Sequence, residues 1–381
     1  MSERSADLVV VGAGIVGLAH AYLAAKAGRR VVVLERSLAP EGASIRNFGM
    51  LWPIGQTAGR MLNLALASRE IWFDLLQEAK IAYRDTGSLH VACRSDEVAV
   101  GREFAEIGPA HGYDCKWLDR RSALELSPAL NPDTVLGALW SATETTVDPR
   151  EVLTTLPKFL MEQYNVHFEW GCPVLAIEGN ELQTSRGTWT SPNIIVCSGS
   201  DFETLYPECF ASSGLTRCKL QMLRTAPQPN AWQLGPSLAG GLTFRYYPSF
   251  RICSTLPALQ RHIADEMPDY EKYGIHTMIS QTTDGELILG DSHEYGLSPS
   301  IFNRDEIDQL ILKHIQTFAK IPDLSVSERW FGVYAKHFDQ PYVRFQPEDG
   351  VEVVTGLGGA GMTLSFGVAA ETFARQTEGT R

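Results

Sequence analysis

Gly12, Gly14 and Gly17 form a G-x-G-x-x-G pattern directly after a short apolar run at residues 8–11. In a strand–turn–helix unit the first glycine permits a tight turn, the second lets the backbone approach a pyrophosphate, and the third lets the helix pack close to the strand. The pattern predicts a helix over residues 15–27, closed by Gly28, whose N-terminal N–H groups and dipole would face the phosphates. The predicted phosphate contacts are Gly12, Ala13, Gly14, Ile15, Val16 and Gly17.

Glu35 ends a second apolar run, residues 30–34, and lies 18 residues beyond the last glycine of the pattern. At that position a carboxylate can accept hydrogen bonds from both hydroxyls of an adenosine ribose. Strand, helix, second strand and terminal acid together predict a binding site for FAD or NAD. Arg36, the next residue, is included among the predicted cofactor contacts.

A second glycine cluster follows the apolar run at residues 351–355 and precedes a helix predicted to begin near Met362. Close backbone approach and a helix N-terminus suit an electron-rich group, such as the N1/O2 edge of a reduced flavin. Because an NAD-binding domain has no need of such an element, the cluster favours FAD over NAD. The predicted contacts here are Gly358, Gly359, Ala360, Gly361, Met362 and Thr363.

The chain that carries these motifs has 381 residues, of which 44% are hydrophobic and 20% are charged, and its net charge is −12. These values are typical of a globular protein and argue against a general nucleic-acid or polybasic membrane surface. The polar N-terminus and the lack of a long apolar run predict a cytoplasmic protein without a signal peptide or a membrane span. Seven cysteines without a CxxC pair predict reduced thiols, and no metal-ligand spacing stands out among the nine histidines.

Hydrophobic periodicity predicts helices near residues 59–80, 95–111, 121–126, 149–162 and 303–320. Short strands at 166–169, 174–178, 181–184 and 188–190 are predicted to form a meander that leads to a buried strand at 193–197. A mixed sheet is predicted between residues 215 and 295. The lack of a repeat or a linker indicates domains that are interleaved along the chain.

The motifs in this order resemble the family of FAD-dependent amine oxidoreductases that includes D-amino acid oxidase, glycine oxidase and sarcosine oxidase. The resemblance covers nearly the whole chain, through the segments 7–36, 43–50, 86–89, 147–150, 197–199, 284–290 and 356–363. It implies an α/β fold, with a Rossmann-like FAD-binding domain and an interleaved substrate domain built on a large mixed β-sheet. The implied FAD-binding segments are 1–84, 146–215 and 326–381, and the implied substrate segments are 85–145 and 216–325. Further implied FAD contacts are Ser44, Arg46, Asn47, Phe48, Val174, Ser198 and Gly199.

The resemblance also implies a reaction, the oxidation of a carbon–nitrogen bond in a small primary or secondary amine. In this family a hydride passes to flavin N5, the imine hydrolyses, and oxygen or another acceptor reoxidises the flavin. No cysteine follows Cys253, which removes the thiol that sarcosine oxidases use for a covalent flavin bond, so FAD is expected to be non-covalent. Ile288 replaces the lysine that sarcosine oxidases place near N5, which leaves rapid use of oxygen open.

Tyr334 stands where family members that bind a carboxylate carry the arginine of a G-x-R-P motif. Either another residue binds the anion, or the substrate carries an anionic group other than an α-carboxylate. The candidate catalytic residues are Arg46, Tyr247, Tyr334, Lys336 and His337. Tyr246 and Tyr247 are predicted to lie on a strand, so that only one of them faces the pocket. The chain also resembles the aminophosphonate-degrading branch of the family, which indicates a substrate such as N-methyl-2-aminoethylphosphonate.

Two other functions remain open at this stage. A 2-hydroxy-acid dehydrogenase of related fold would take hydride from a C–O–H carbon and pass electrons to a quinone. A non-catalytic flavoprotein would use FAD for structure or redox sensing.

Overall fold

A computed structural model describes residues 4–378 of the chain. The helices are α1 (Ile15–Lys26), α2 (Arg60–Glu78), α3 (Ser95–Ile107), α4 (Arg120–Leu126), α5 (Pro149–Tyr164), α6 (Pro207–Ser212), α7 (Thr243–Tyr246), α8 (Leu256–Glu266), α9 (Pro268–Lys272), α10 (Asp305–Phe318) and α11 (Gly361–Glu378). The strands are β1 (Leu8–Val11), β2 (Val31–Glu35), β3 (Met50–Leu51), β4 (Tyr83–Arg84), β5 (Ser88–Ala92), β6 (Cys115–Asp119), β7 (Gly137–Ser141), β8 (Thr145–Val147), β9 (His167–Trp170), β10 (Val174–Glu178), β11 (Glu181–Thr184), β12 (Gly187–Thr190), β13 (Ile194–Val196), β14 (Thr216–Thr225), β15 (Ser237–Ala239), β16 (Met278–Gln281), β17 (Leu287–Gly290), β18 (Glu294–Gly296), β19 (Val326–Lys336), β20 (Val343–Glu348) and β21 (Val351–Thr355).

A six-stranded sheet in the order β20-β21-β13-β1-β2-β9 carries the first glycine motif. Its strands are parallel except for the antiparallel β20–β21 pair. Every residue of β1 is buried, and its side chains alternate between two cores. Val10 packs with helices α1, α2, α5 and α11, whereas Val9 packs with the β10–β12 meander on the other face. A strand covered on both faces reads as a continuous apolar run, which is why the sequence identifies it well.

A larger mixed sheet of nine strands forms the second layer of the molecule. Its order is β18-β14-β17-β16-β15-β5-β7-β6, and β19 pairs along almost the whole length of β14. Helices α3, α8 and α10 pack on it in the largest apolar cluster of the described residues. The two large sheets with their helices confirm the predicted fold class. The predicted domain boundaries stay a prediction, and the pairing of β19 places that strand in the nine-stranded sheet.

The segment around Tyr246 and Tyr247 differs from its prediction as a strand. Tyr246 is the last residue of the short helix α7, and Tyr247 follows it in extended conformation. Helices α8 and α9 come next, so the region between the predicted strands is largely helical. Prolines in the first turns of these helices and the buried Leu256, Leu259 and Ile263 at helical spacing favour this outcome. The strand prediction for both tyrosines was therefore wrong.

The predicted four-stranded meander was also partly wrong. Strand β9 pairs in parallel with β2 and so belongs to the six-stranded sheet, and only β10, β11 and β12 form the meander. The sequence of a short strand does not determine which other strand it pairs with, because the pairing depends on distant parts of the chain.

Trp72 joins helix α2 to the start of α11, and replacing it tests this part of the core. Its side chain is fully buried, its indole N–H donates to the Met362 carbonyl at 2.8 Å, and its ring meets the edge of Phe366. We expect Trp72→Phe to lower the free energy of unfolding by about 1–3 kcal/mol, because a buried carbonyl loses its donor. Urea unfolding followed by circular dichroism measures the change. Trp117→Phe is the control, since that half-buried indole N–H has no hydrogen-bond partner among the described residues; an equal loss in both variants would contradict the prediction.

Candidate active site

The turn between β1 and α1 accepts only glycine at two of its positions. Gly12 has φ +104°, and a Cβ there would lie 2.5 Å from the Cys197 carbonyl oxygen. A Cβ on Gly17 would lie 2.0 Å from the carbonyl oxygen of Gly12. The helix therefore lies directly against the turn, and its first residues line a large cavity. This is the close approach that a pyrophosphate on a helix N-terminus requires.

Glu35 holds the same turn from the end of β2. Its Oε2 accepts a hydrogen bond from the Ala13 N–H at 2.7 Å, and its Oε1 accepts one from the Ser37 N–H at 2.8 Å. Each carboxylate oxygen retains a further lone pair, and Glu35 lines the cavity, so it is placed to accept from ribose hydroxyls. Arg36 lies at the rim, where it is paired with Asp201 at 2.7 Å.

The loop at residues 43–50 is held in shape by its own side chains. The amide nitrogen of Asn47 donates to the carbonyls of Ala43 and Ser44, and its oxygen accepts from the Gly49 N–H. The Ser44 hydroxyl accepts from the Ile15 N–H at 2.9 Å and so caps α1. Arg46 donates to the Phe331 carbonyl of β19 at 3.1 Å, which ties the loop to the nine-stranded sheet. Asn47 therefore shapes the loop, and Arg46 lines the cavity with no acidic partner among the residues described.

The second glycine cluster meets the side chains of β19. Gly358 has φ +58°, and a Cβ on it would lie 3.0 Å from Cδ of Lys336. A Cβ on Gly359 would lie 3.5 Å from the hydroxyl oxygen of Tyr334. Thr363, in the first turn of α11, accepts a hydrogen bond from the Trp52 N–H at 2.8 Å. The side chains of Tyr334 and Lys336 thus lie directly beside the glycine backbone of this cluster.

A cavity of about 1140 Å³ joins the two glycine motifs. This exceeds the roughly 300–1,000 Å³ of pockets for drug-sized ligands and suits a dinucleotide together with a small substrate. Nearly all residues predicted from the sequence line it; Gly17 and His337 do not. The lining residues among them are Gly12, Ala13, Gly14, Ile15, Val16, Glu35, Arg36, Ser44, Arg46, Asn47, Phe48, Val174, Ser198, Gly199, Tyr247, Tyr334, Lys336, Gly358, Gly359, Ala360, Gly361, Met362 and Thr363.

Lys336 brings an unpaired positive charge to the cavity. It is half-buried, and no carboxylate of residues 4–378 forms an ion pair with it. Burial lowers its pKa, and the nearby positive charge of Arg251 lowers the pKa further. Two cations thus face one end of the cavity, since Arg251 also lines it.

His337 lies next to Lys336 in sequence but is turned away from the cavity. Its Nδ1 accepts hydrogen bonds from the Asp339 and Gln340 N–H groups, and its Nε2 lies against Gly214. Successive side chains at the end of a strand point to opposite faces, so both residues could not reach the same pocket. The structure does not support the predicted anion contact by His337.

Sequence reasoning missed a group of polar residues on the cavity wall. His276, Asp291 and His293 are buried together there, and Tyr246 stacks on both imidazole rings at centroid distances of 3.9 and 4.4 Å. The hairpin of β16 and β17 around Gly285 could have predicted this cluster, because residues just beyond the ends of two paired strands lie side by side. The Asp291 N–H accordingly donates to the His276 carbonyl.

Glycine-rich turns from both ends of the chain, a carboxylate at the end of β2 and one large cavity define a dinucleotide-binding α/β protein. The chain also matches the family model described as DAO, FAD dependent oxidoreductase, over residues 7–375. It therefore belongs to this family of FAD-dependent oxidoreductases, and the prediction of FAD as the cofactor is confirmed. The glycines that a Cβ would block and the cavity between them fit this cofactor.

Known relatives agree with this assignment at low sequence identity. The chain is 25% identical over 208 residues to human mitochondrial sarcosine dehydrogenase, covering 51% of this chain and 22% of that protein. It is 25% identical over 206 residues to glycine oxidase of Geobacillus kaustophilus, covering 51% of this chain and 54% of that enzyme. The crystal structure of that glycine oxidase has a TM-score of 0.78 and 19% identity, over 98% of this chain and 95% of the other. The matches thus span only about half of one curated relative and a fifth of the other.

Replacing Glu35 tests the adenosine end of the cofactor site. We expect Glu35→Gln to weaken FAD binding about 10- to 100-fold, because the neutral amide loses charge-assisted hydrogen bonds. Reconstitution of the apoprotein, followed by flavin fluorescence, gives the dissociation constant. Glu178→Gln on strand β10 of the meander is the control, since Glu178 is exposed; unchanged affinity in Glu35→Gln would contradict the assignment.

Proposed function

We propose that this protein oxidises a small primary or secondary amine that carries an anionic group other than an α-carboxylate. The family assignment and the relatives named sarcosine dehydrogenase and glycine oxidase support oxidation of a carbon–nitrogen bond. The observation that supports an anionic group on the substrate is the position of Lys336. Its ammonium group lies beside the second glycine cluster and has no acidic partner among the described residues. Burying an unpaired cation is unfavourable, so an anionic ligand would stabilise this arrangement.

The specific substrate class that we propose is an aminophosphonate, such as N-methyl-2-aminoethylphosphonate. Tyr334 fills the position of the family's carboxylate-binding arginine with a buried phenol, whose pKa burial raises well above its usual value. That phenol stays neutral and can donate one hydrogen bond. Lys336 and Arg251 supply two positive charges, which matches the double charge of a phosphonate better than the single charge of a carboxylate. Lysine is also a common phosphate ligand in proteins.

The chain's own contribution to the reaction is binding and orientation. When bound, FAD supplies the hydride acceptor, which no protein side chain can replace. Lys336 and Tyr334 would hold the anionic end of the substrate beside the second glycine cluster, and Tyr247 lines the same cavity. A substrate fixed at both ends presents one carbon to the cofactor, and such positioning lowers the entropic part of the barrier.

The electron acceptor is oxygen or another oxidant. Ile288, which takes the place of the family's lysine, is buried in an apolar cluster with Met222 and Tyr334. We infer slow reoxidation by oxygen, since no charge at this position would stabilise superoxide.

Among residues 4–378 no helix is long and apolar enough to cross a membrane.

Anaerobic titration of the holoenzyme tests the substrate class. We expect N-methyl-2-aminoethylphosphonate to bleach the flavin absorbance, sarcosine and glycine to do so at least 10-fold less efficiently, and 2-hydroxy acids and glycerol 3-phosphate to have no effect. Bleaching by a hydroxy compound alone would make the protein a C–OH dehydrogenase. No bleaching by any compound would favour a non-catalytic flavoprotein.

Replacing Lys336 tests the anion-binding end. We expect Lys336→Met to raise the KM for the aminophosphonate at least 30-fold with a smaller change in kcat, because the charge holds the ground state and the transition state alike. His337→Asn is the matched control, since the amide oxygen can replace the Nδ1 acceptor of a ring that faces away from the cavity. Equal effects of both variants would contradict the assignment of Lys336.

The non-covalent binding of FAD has a direct test. Precipitation of the holoprotein with acid should release all flavin into the supernatant as FAD, because no cysteine follows Cys253. Flavin that stays with the precipitated protein would disprove this prediction.

A further inference from the structure

His276, Asp291 and His293 offer ligand atoms that all lie within 4.8 Å of one another on the cavity wall. The Nε2 of His276 is 3.5 Å from one carboxylate oxygen of Asp291, and the Nε2 of His293 is 4.0 Å from the other. The three side chains are at most 7% exposed. Both ring nitrogens of His276 and one oxygen of Asp291 lack a hydrogen-bond partner. Buried polar atoms without partners are costly, which points to a ligand that completes them.

The cluster presents acceptors to the cavity and few donors. Nδ1 of His293 lies 3.0 Å from the Gly274 carbonyl, which can only accept, so this nitrogen carries the hydrogen of the neutral ring. Its Nε2 is then a bare acceptor that faces Asp291. A ligand that brings N–H donors or a positive charge therefore fits this cluster.

A metal ion fits this geometry poorly. The rings of His276 and His293 are stacked, with an interplanar angle of 18° and centroids 5.0 Å apart. Imidazole lone pairs lie in the ring plane, so nearly parallel planes at this separation do not direct two lone pairs to one metal centre. An ammonium group is less demanding, because its hydrogens can each meet one acceptor.

We propose that His276, Asp291 and His293 bind the ammonium group of the substrate and accept one of its protons before the amine is oxidised. The proposal rests on the amine oxidation put forward above. It assigns the two ends of the substrate to two parts of the cavity, with the ammonium at this cluster and the anionic group at Lys336. In the proton transfer one N–H bond of the ammonium breaks, the proton remains on the cluster, and the nitrogen keeps the lone pair that hydride loss requires. No electrons are transferred in this step.

Burial sets the charge of the cluster before the substrate arrives. It lowers the pKa of His276 well below its ordinary value and that of His293 to about 3, and it raises the pKa of Asp291 well above its ordinary value. Burial thus favours the uncharged form of each group before the substrate arrives, a neutral imidazole for the two histidines and a protonated carboxyl for Asp291. Binding an ammonium displaces the carboxyl proton, so one proton is released for each cation bound. As long as the carboxyl is protonated in the free protein, affinity for the cation should then rise with pH, by up to about tenfold per pH unit.

The other charged and titratable groups around the cluster leave Asp291 available to compensate a bound cation. The guanidinium of Arg245 is occupied by Glu271 and by the carbonyls of Tyr270 and Ile275, so it does not neutralise Asp291. Other titratable groups near the cluster are Cys218, Tyr246, Tyr247, Tyr295, Tyr334, His90, His314 and Lys336. A second buried carboxylate, Glu144, acts on Tyr247, but it already accepts hydrogen bonds from the Ile54 N–H and from the hydroxyls of Ser88 and Thr143. Asp291, which has an oxygen without a partner, is therefore the group expected to compensate a bound cation.

Two simple ions allow the two ends of the proposed site to be tested separately. Methylammonium probes the cluster and methylphosphonate probes Lys336, and flavin difference spectra of the holoenzyme report the binding of each without turnover. We expect Asp291→Asn to weaken methylammonium binding at least 10-fold and to remove its pH dependence, while methylphosphonate affinity changes less than twofold. Lys336→Met should show the opposite pattern. Retained methylphosphonate binding shows that the variant pocket is folded.

A second variant and a control complete the test. His293→Gln, which removes the imidazole acceptor, should weaken methylammonium binding at least threefold, whereas Asp284→Asn in the exposed turn of the same hairpin should change nothing. The proposal is overturned if methylammonium does not bind, if it binds equally to Asp291→Asn, or if a stoichiometric metal ion is found that depends on His276. Methylammonium binding that depends on Asp291, without methylphosphonate binding, would instead refute the phosphonate and leave the ammonium site standing.

Discussion

The close contact between helix α1 and the turn that precedes it is the constraint on which the rest of the site depends. Gly17 lies against the carbonyl of Gly12, and Gly12 lies against the strand end at Cys197, with no space for a side chain at either point. This packing aims the helix N-terminus into the cavity. It also brings the turn within reach of the carboxylate of Glu35 and the hydroxyl of Ser44, which occupy two of its N–H groups. The remaining donors are left for a phosphate.

Strand β19 links this cofactor site to the substrate end. It pairs with β14 over ten positions of the nine-stranded sheet, and its last residue, Lys336, bridges to Leu357 in the glycine loop. Tyr334 and Lys336 are two residues apart, so both side chains point to the same face, toward the loop. Because β19 is hydrogen-bonded along its length, its position is fixed. Backbone pairing therefore sets the distance from Tyr334 and Lys336 to the second glycine cluster.

The sequence predicted what depends on local spacing and missed what depends on distant pairing. Both glycine motifs, Glu35 and the apolar run of β1 could be predicted directly, because turn, helix and strand follow each other within a few residues. His276 and Asp291 are brought together only by the register of a hairpin, and neither has a neighbour in sequence that signals the contact. Tyr246 was misplaced for a related reason, since a short helix at a bend has too few residues to show a period.

The two glycine-rich turns also couple the cofactor to the assembly of the fold. Strand β1 lies between β2, which follows it closely, and β13, which lies more than 180 residues further along the chain. The second glycine cluster and α11 are later still, so the complete cofactor site can form only after nearly the whole chain has been synthesised. Because FAD binds the folded state and not the unfolded chain, each increase in free FAD raises the folded fraction by mass action. The supply of the vitamin from which FAD is made would thus help to determine how much of this protein a cell maintains.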